Sequence, residues 1–236
     1  MDSSSPKSAL WRGVRDSAPF LLVVSPFAMI FGVVSTEAGF SILETMGFGF
    51  LVIAGASQFA AVQLMAENTP TVIVILTALA VNLRMAMYSA TLTPHLGGAS
   101  IWTRAIAAYC IVDQSFALSA DRFDRHPSDS LSAKIAYFFG TVLLIFPVWH
   151  VSTYVGAAVG GQIPDAFALD FAVPITFLAM IAPMLRTRAH LAAAFVAVIA
   201  SLTFAFLPYN LGLIVAGIMG MVVGAEVERR TEGESL

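Results

Sequence analysis

The sequence is poor in charge and has almost no cysteine. Only 11% of its 236 residues are charged, and there is one cysteine. Soluble domains carry about 25% charged residues, so this chain has too few charges to coat a soluble fold. Its single cysteine, Cys110, excludes an internal disulfide and the CxxC motifs of metal and redox sites. The net charge of -3 gives no basic excess for binding nucleic acid.

The sequence also lacks the common catalytic and nucleotide-binding motifs. It contains no G-x-S-x-G, no Walker A sequence and no H-E-x-x-H. No His, Asp and Glu cluster has the spacing of metal ligands, so we expect no metal site and no cofactor. Serines occur inside apolar segments, but no histidine is placed beside Ser57, Ser89 or Ser115. These absences argue against an enzyme and against an ATP-driven pump.

What the sequence does have is long apolar segments. Hydrophobic residues make up 58% of the chain, and the mean hydropathy is +0.84. A helix needs about 20 apolar residues to cross the hydrocarbon layer of a bilayer. We therefore predict an all-α, polytopic membrane helix bundle with interrupted helices. It forms one transmembrane domain, residues 1–236, which a polar stretch divides into possible halves 1–125 and 126–236. The predicted segments are residues 19–36, 46–66, 71–93, 103–120, 134–155, 171–185, 189–207 and 210–226.

The sixth segment is short and flanked by prolines, so it either crosses the bilayer or is re-entrant. The number of transmembrane segments is accordingly eight or seven. With eight segments and a cytoplasmic N-terminus, ten of the twelve basic residues fall on the cytoplasmic side, as the positive-inside rule requires. Arg104 falls at the outer edge, and Arg84 lies within a segment. We expect both termini to be cytoplasmic.

Two charged residues stand where lipid is expected. An arginine at the centre of a membrane helix costs roughly 2.5–3.5 kcal/mol, so Arg84 needs a partner or a water-filled cavity, or else it extends to a near interface. Asp113 needs a cation, for which Arg84 is the candidate, or it carries a proton. The pair serves transport, or it only fastens two helices together. Tyr88 shares the face of Arg84, four residues on, and Asn82 lies two residues before it.

The small-residue stretch at 54–63 contains Gly55, Ser57 and Gln58 inside a predicted segment. A break at the glycine would expose backbone N–H groups at a half-helix N-terminus, which carries partial positive charge and binds a carboxylate. Small residues also let membrane helices pack closely, which is the alternative explanation. Asp170 precedes a proline-containing segment and either caps it or takes part in proton coupling.

Four blocks together resemble the branched-chain amino acid permease family of the AzlC type. They are GASQFAA at 55–61, NLRMAMYSATLTPHL at 82–96, VDQSFAL at 112–118 and DFAVPITFLAMIAP at 170–183. The resemblance runs from about residue 10 to 225. Met85 and Gln114 depart from the pattern, in which a histidine and an acid are common at these positions.

The resemblance implies an exporter of branched-chain amino acids, of the valine, leucine and isoleucine type with methionine as a further candidate, in the bacterial inner membrane. It also implies a small membrane partner of the AzlD type. The substrate-binding residues that we predict are Gly55, Ser57, Gln58, Phe59, Asn82, Arg84 and Asp113. Proton coupling is predicted at Asp113 and Asp170. The alternative function is a non-transporting membrane scaffold or assembly subunit, whose polar residues hold helices together.

Overall fold

The structure, a computed structural model, describes residues 5–160, 185, 187–208 and 211–233. Within these residues every regular element is a helix. The helices are α1 (Pro6–Ser17), α2 (Leu21–Glu37), α3 (Ile42–Leu51), α4 (Gly55–Ala66), α5 (Thr71–Leu96), α6 (Ile101–Tyr109), α7 (Asp113–Arg125), α8 (Leu131–Gly160), α9 (Arg188–Thr203) and α10 (Leu211–Gly233). A 3-10 turn, Ala18–Phe20, joins α1 to α2. The predicted segment 171–185 lies outside the described residues except for its last position.

Four stretches of the described residues are long and apolar enough to cross a bilayer. They are Pro6–Glu37, Thr71–Leu96, Leu131–Gly160 and Leu211–Thr231. The prediction of an all-α membrane bundle with interrupted helices is therefore confirmed, whereas the predicted count of seven or eight segments is not. The predicted segments 46–66 and 103–120 are wrong as single spans, because each is a pair of short helices separated by a break of three residues.

The long stretch α1–α2 and helix α8 pack against each other at backbone distance. Glycines make this possible, because any side chain on them would overlap the neighbouring helix. A Cβ on Gly13 would overlap the carbonyl oxygen of Tyr137, early in α8. One on Gly32 would overlap that of Thr153, near the end of α8. Contacts in this order along both helices mean that α1–α2 and α8 run parallel.

Helix α5 runs in the opposite direction. Its last two turns pack against the beginning of α8, where Leu92 and Leu96 join a buried cluster with Ala133 and Tyr137. With 26 residues, α5 is about 39 Å long, so its first turn lies at the other end of the bundle. The chain thus crosses with α1–α2, returns with α5 and crosses again with α8.

The helices between these spans form two re-entrant hairpins, which enter and leave at the same end of the bundle. The first hairpin is α3–α4. It follows the end of α2 and leads into the start of α5, and Phe48 of α3 packs beside Leu64 of α4 and Val74 of α5. Residues 48 and 64 would be about 24 Å apart in a continuous helix, so their contact requires the chain to fold back.

The second hairpin, α6–α7, enters from the other end. Arg104 of α6 lies in a crevice with Phe138 and Phe139 in the first turns of α8. Phe123, near the end of α7, has its ring centroid 6.4 Å from that of Tyr137, in the same part of α8. The second hairpin therefore begins, with α6, and ends, with α7, beside the first turns of α8.

This topology gathers the lysines and arginines of residues 5–160, apart from Arg84, at one end of the bundle, where Asp16, Asp121, Asp124 and Asp129 also lie. This end, here called the basic end, carries Lys7, Arg12, Arg15, Arg104, Arg122, Arg125 and Lys134. The opposite end carries Glu37, Glu44 and Glu67 and, within the described range 5–160, no lysine or arginine. The prediction that placed Arg104 at the other side from its basic neighbours is wrong, because α6–α7 turns back before reaching that side.

Helices α9 and α10 pack on each other through small residues. A Cβ on Gly220 of α10 would lie 3.0 Å from the carbonyl oxygen of Ala193 in α9, and one on Gly224 3.0 Å from the Ala193 Cβ. The pair falls on the predicted segments 189–207 and 210–226, and each helix begins within one residue of the expected start, but α9 ends at Thr203 and α10 continues to Gly233.

Candidate functional site

The tips of the two hairpins meet at one cavity, half-way along the spans. The breaks at residues 52–54 and 110–112 both contribute to its wall, and so does the middle of α5. One side of the wall is formed by the starts of α4 and α7 and by one charged residue of α5. Its residues are Ile53, Ala54, Gly55, Ala56, Arg84, Val112, Asp113 and Gln114. Two helix N-termini that arrive from opposite ends of the bundle thus point toward the same space.

The first of these N-termini is the start of α4 at Gly55. Ala54 precedes it, and its carbonyl accepts both the Gln58 N–H and the Ser57 hydroxyl, each at 3.0 Å. No side chain caps this helix, so the N–H groups of its first turn have no partner within the helix. They carry roughly half a unit of positive charge toward the cavity. The predicted break in the 54–57 stretch is confirmed.

The second N-terminus is the start of α7 at Asp113, and it resembles the first. Ser115, the third residue of the helix, donates its hydroxyl to the carbonyl of Val112 at 3.0 Å. The Val112 N–H in turn donates to the Ser115 hydroxyl at 2.9 Å. Here the first turn contains an acid, and a carboxylate near a helix N-terminus is stabilised by about 0.3–1 kcal/mol.

Arg84 and Asp113 form an ion pair in the cavity, with 3.1 Å between Nη1 and Oδ2. The predicted pairing is confirmed. Both side chains keep contact with the cavity, since 25% of Arg84 and 34% of Asp113 remains accessible. Tyr88 donates its hydroxyl to the other Asp113 oxygen at 2.8 Å. The Tyr88 ring stacks on Phe116 of α7 with centroids 4.0 Å apart, so α5 supplies both partners of the carboxylate and packs on α7 beside it.

Tyr88 contacts the Asp113 carboxylate, although it is not among the predicted site residues. Its signal was present, because it lies four residues after Arg84 on the same helix face. Since Arg84 is the predicted partner of Asp113, this shared face also places Tyr88 near the carboxylate.

The rest of the cavity wall is apolar. It is formed by Val23, Val24, Phe27, Met85, Cys110, Val142, Ile145, Phe146 and Trp149. The cavity has a volume of about 60 Å³. The cavity is therefore narrow, and it has a charged side and an apolar side.

Comparison with known proteins gives this site a family. The family model described as AzlC protein matches residues 19–163, the part of the chain with α2, both hairpins, α5 and α8. The chain belongs to the AzlC family. An uncharacterized membrane protein of Archaeoglobus fulgidus is 30% identical over 223 residues, which are 92% of this chain and 95% of that protein.

Other AzlC-like relatives come from bacteria. Inner membrane protein YgaZ of Escherichia coli K12 is 26% identical over 242 residues, covering 95% of this chain and 93% of that protein. An uncharacterized membrane protein of Helicobacter pylori 26695 is 24% identical over 64% of this chain and 65% of its own length. No solved structure matches the chain.

Three of the predicted site residues of this AzlC family member line the cavity: Gly55, Arg84 and Asp113. The other four predicted site residues that are described, Ser57, Gln58, Phe59 and Asn82, do not line the cavity. Ser57 is fully buried and fixes the α4 start through the Ala54 carbonyl. Phe59 is 2% exposed and packs on Phe27, with ring centroids 5.0 Å apart.

Gln58 and Asn82 each keep a buried side-chain oxygen without a hydrogen-bond partner among the described residues. The Gln58 amide donates to the carbonyl of Val52, so it ties α4 to the break before it. Neither residue is part of the cavity wall. Asp170, predicted for proton coupling, lies outside the described residues.

Proposed function

We propose that this chain is the large subunit of a secondary transporter that exports branched-chain amino acids through the cavity between the hairpins. The supporting observation is that one narrow space holds two helix N-termini, an Arg–Asp pair and an apolar wall. A zwitterion with an aliphatic side chain needs a positive partner, a negative partner and an oily surface. Family membership and the AzlC-type motifs favour valine, leucine and isoleucine, with methionine as a further substrate.

The α4 N-terminus is the proposed site for the substrate carboxylate. Its first turn, residues 55–58, contains no acid and no capping side chain, so its partial charge is unneutralised. The ammonium group would face Asp113, and Arg84 would move toward the substrate carboxylate as its own partner is taken. We propose that the Asp113 carboxylate binds Arg84, the substrate ammonium group and a proton in turn, and that this exchange couples export to proton movement.

The cavity is narrow in the described conformation, and transport requires it to open toward each end of the bundle in turn. The spans α1–α2 and α8 are locked by backbone contacts at their glycines, while the hairpins pack on the spans through side chains and reach the cavity with their tips. We propose that hairpin α6–α7 opens the cavity toward the basic end. Hairpin α3–α4 opens it toward the opposite end, which carries Glu37, Glu44 and Glu67.

The proposed setting is the bacterial inner membrane, with the basic end facing the cytoplasm in accordance with the positive-inside rule. This orientation places the N-terminus in the cytoplasm. Arg229 and Arg230, at the end of α10, favour a cytoplasmic C-terminus as well. The proposed partner is a small AzlD-type membrane subunit.

The Arg84–Asp113 pair gives the sharpest test, because its alternative role is to fasten α5 to α7. The measurement is leucine efflux from cells that express the chain with its small neighbour, carrying Asp113→Asn, Arg84→Gln or both. If the pair only fastens helices, the double variant loses both charges and regains export. The transport proposal requires all three variants to fall at least about tenfold, since the charges act on the substrate.

Matched controls come from the exposed pair Asp121–Arg125, on the same helix α7. Neutralising it with Asp121→Asn and Arg125→Gln should leave efflux within about twofold, because exposed pairs contribute little. All variants must be present in the membrane in equal amounts. Wild-type efflux in the Arg84→Gln, Asp113→Asn double variant would favour the scaffold function and end the transport proposal.

A further inference from the structure

The apolar side of the cavity ends in two aromatic rings that touch the start of α4. A Cβ on Gly55 would lie 2.9 Å from Cη2 of Trp149 and would overlap the ring edge of Phe27. These rings therefore stand directly beside the N–H groups proposed to hold the substrate carboxylate. A side chain that leaves the α-carbon of a substrate held there meets them first.

The two rings cannot easily give way. Trp149 is stacked on Phe31, with centroids 6.4 Å apart and an angle of 24° between the planes, and its centroid lies 5.8 Å from that of Phe27. Behind them, Phe31 is fully buried and Phe59 is 2% exposed. Well-packed interiors do not accommodate extra side-chain volume without strain. The aromatic wall thus has a fixed shape.

The indole of Trp149 contributes size and not a hydrogen bond. Its Nε1–H is buried without a hydrogen-bond partner among the described residues. Leaving such a donor unpaired is unfavourable, and phenylalanine at this position would avoid that cost. The indole therefore acts through its size, and it forms part of the cavity wall.

We propose that Trp149, backed by Phe27 and Phe31, sets the upper size limit for the substrate side chain. Branched aliphatic side chains fit between this wall and the α4 N-terminus, and aromatic side chains are excluded by the indole. This inference rests on the proposed export function and adds to it a specificity-determining residue.

The test is efflux of leucine and of phenylalanine from cells that express the chain with its small neighbour. Trp149→Ala should raise the ratio of phenylalanine to leucine export by at least about tenfold, within the range that pocket size alone can supply. Trp102→Ala is the matched control, because Trp102 is 78% exposed on α6 and outside the cavity. Its ratio should equal that of the wild type.

Trp149→Leu is the second variant, in case the alanine variant does not accumulate in the membrane. An unchanged ratio in a Trp149 variant that still exports leucine overturns the size limit and leaves the export function standing. If the wild type exports neither amino acid, the export function itself fails, and the inference fails with it.

Discussion

The two hairpins have the same order of helices and caps, and they differ in whether the second helix begins with an acid. Each begins with a serine N-cap, Ser41 or Ser100, whose hydroxyl accepts a backbone N–H of the first turn. A first helix of ten or nine residues is followed by a three-residue break and a second helix of twelve or thirteen. In both, the third residue of the second helix is a serine that bonds the carbonyl just before the helix.

The difference lies in what faces the cavity. The α7 start brings its own carboxylate, Asp113, whereas the α4 start has Gly55 and Ala56 and no acid. One helix N-terminus thus has an acid of the protein in its first turn, and the other, which has none, is the proposed site for the substrate carboxylate. Entry from opposite ends makes the two units, α1–α4 and α5–α7, inverted copies of one arrangement, a span followed by a hairpin. Inverted repeats around a central site are characteristic of secondary transporters.

Making the two hairpins alike is expected to have the largest effect. Ala56→Asp would give α4 an acid of its own at the cavity wall, beside the proposed substrate carboxylate. Two carboxylates at one site repel by several kcal/mol, so leucine efflux should fall about 100-fold. The assay is efflux at equal membrane abundance.

Ala56→Asn is the matched control for this change, since it has the same shape without the charge. It should keep at least about tenfold more export than Ala56→Asp. Equal loss in both variants would mean that side-chain bulk matters there and that no carboxylate binds at α4.

The two serines provide a smaller effect, on stability. Ser57→Ala removes one hydrogen bond, which is worth about 1 kcal/mol. Ser115→Ala removes one hydrogen bond and also leaves the Val112 N–H unpaired, so the loss should be larger, about 1–3 kcal/mol. Thermal unfolding of the purified protein in detergent should therefore show a lower midpoint for Ser115→Ala than for Ser57→Ala.

Ser201→Ala is the control for the serine substitutions. Its hydroxyl makes the same kind of bond, to the Val198 carbonyl, on an exposed face of α9. It corrects for the better helix propensity of alanine. If Ser57→Ala lowers the midpoint more than Ser115→Ala, the two hairpin tips are not built as described.

The first break and the ion pair could be predicted from the sequence. Gly55 among small residues marked a break, and two charges in apolar segments had to find each other because hydrocarbon offers them no water. The second break was missed because residues 110–112, Cys-Ile-Val, include no glycine or proline. A signal was present in Asp113 followed by Ser115, residues that favour the first turn of a helix.

The hairpins themselves were not predictable from hydropathy. A window of about 20 apolar residues has the same average whether the chain crosses the bilayer or turns back at its middle. Arg104 was the useful exception, because it alone among the loop residues violated the positive-inside rule in the eight-segment scheme. The hairpin topology places it at the basic end with its neighbours, and so removes the violation.

Cys110 allows the most direct measurement of the central claim, that one amino acid occupies the cavity with both of its charges bound. It is the only cysteine of the chain, and it lines the cavity between the hairpin tips. The rate of maleimide modification of Cys110 should fall when leucine is present. Leucinol, which lacks the carboxylate, and isocaproate, which lacks the ammonium, should leave the rate unchanged. Protection by leucinol as strong as that by leucine, or no protection by leucine in a preparation that exports it, would contradict the account.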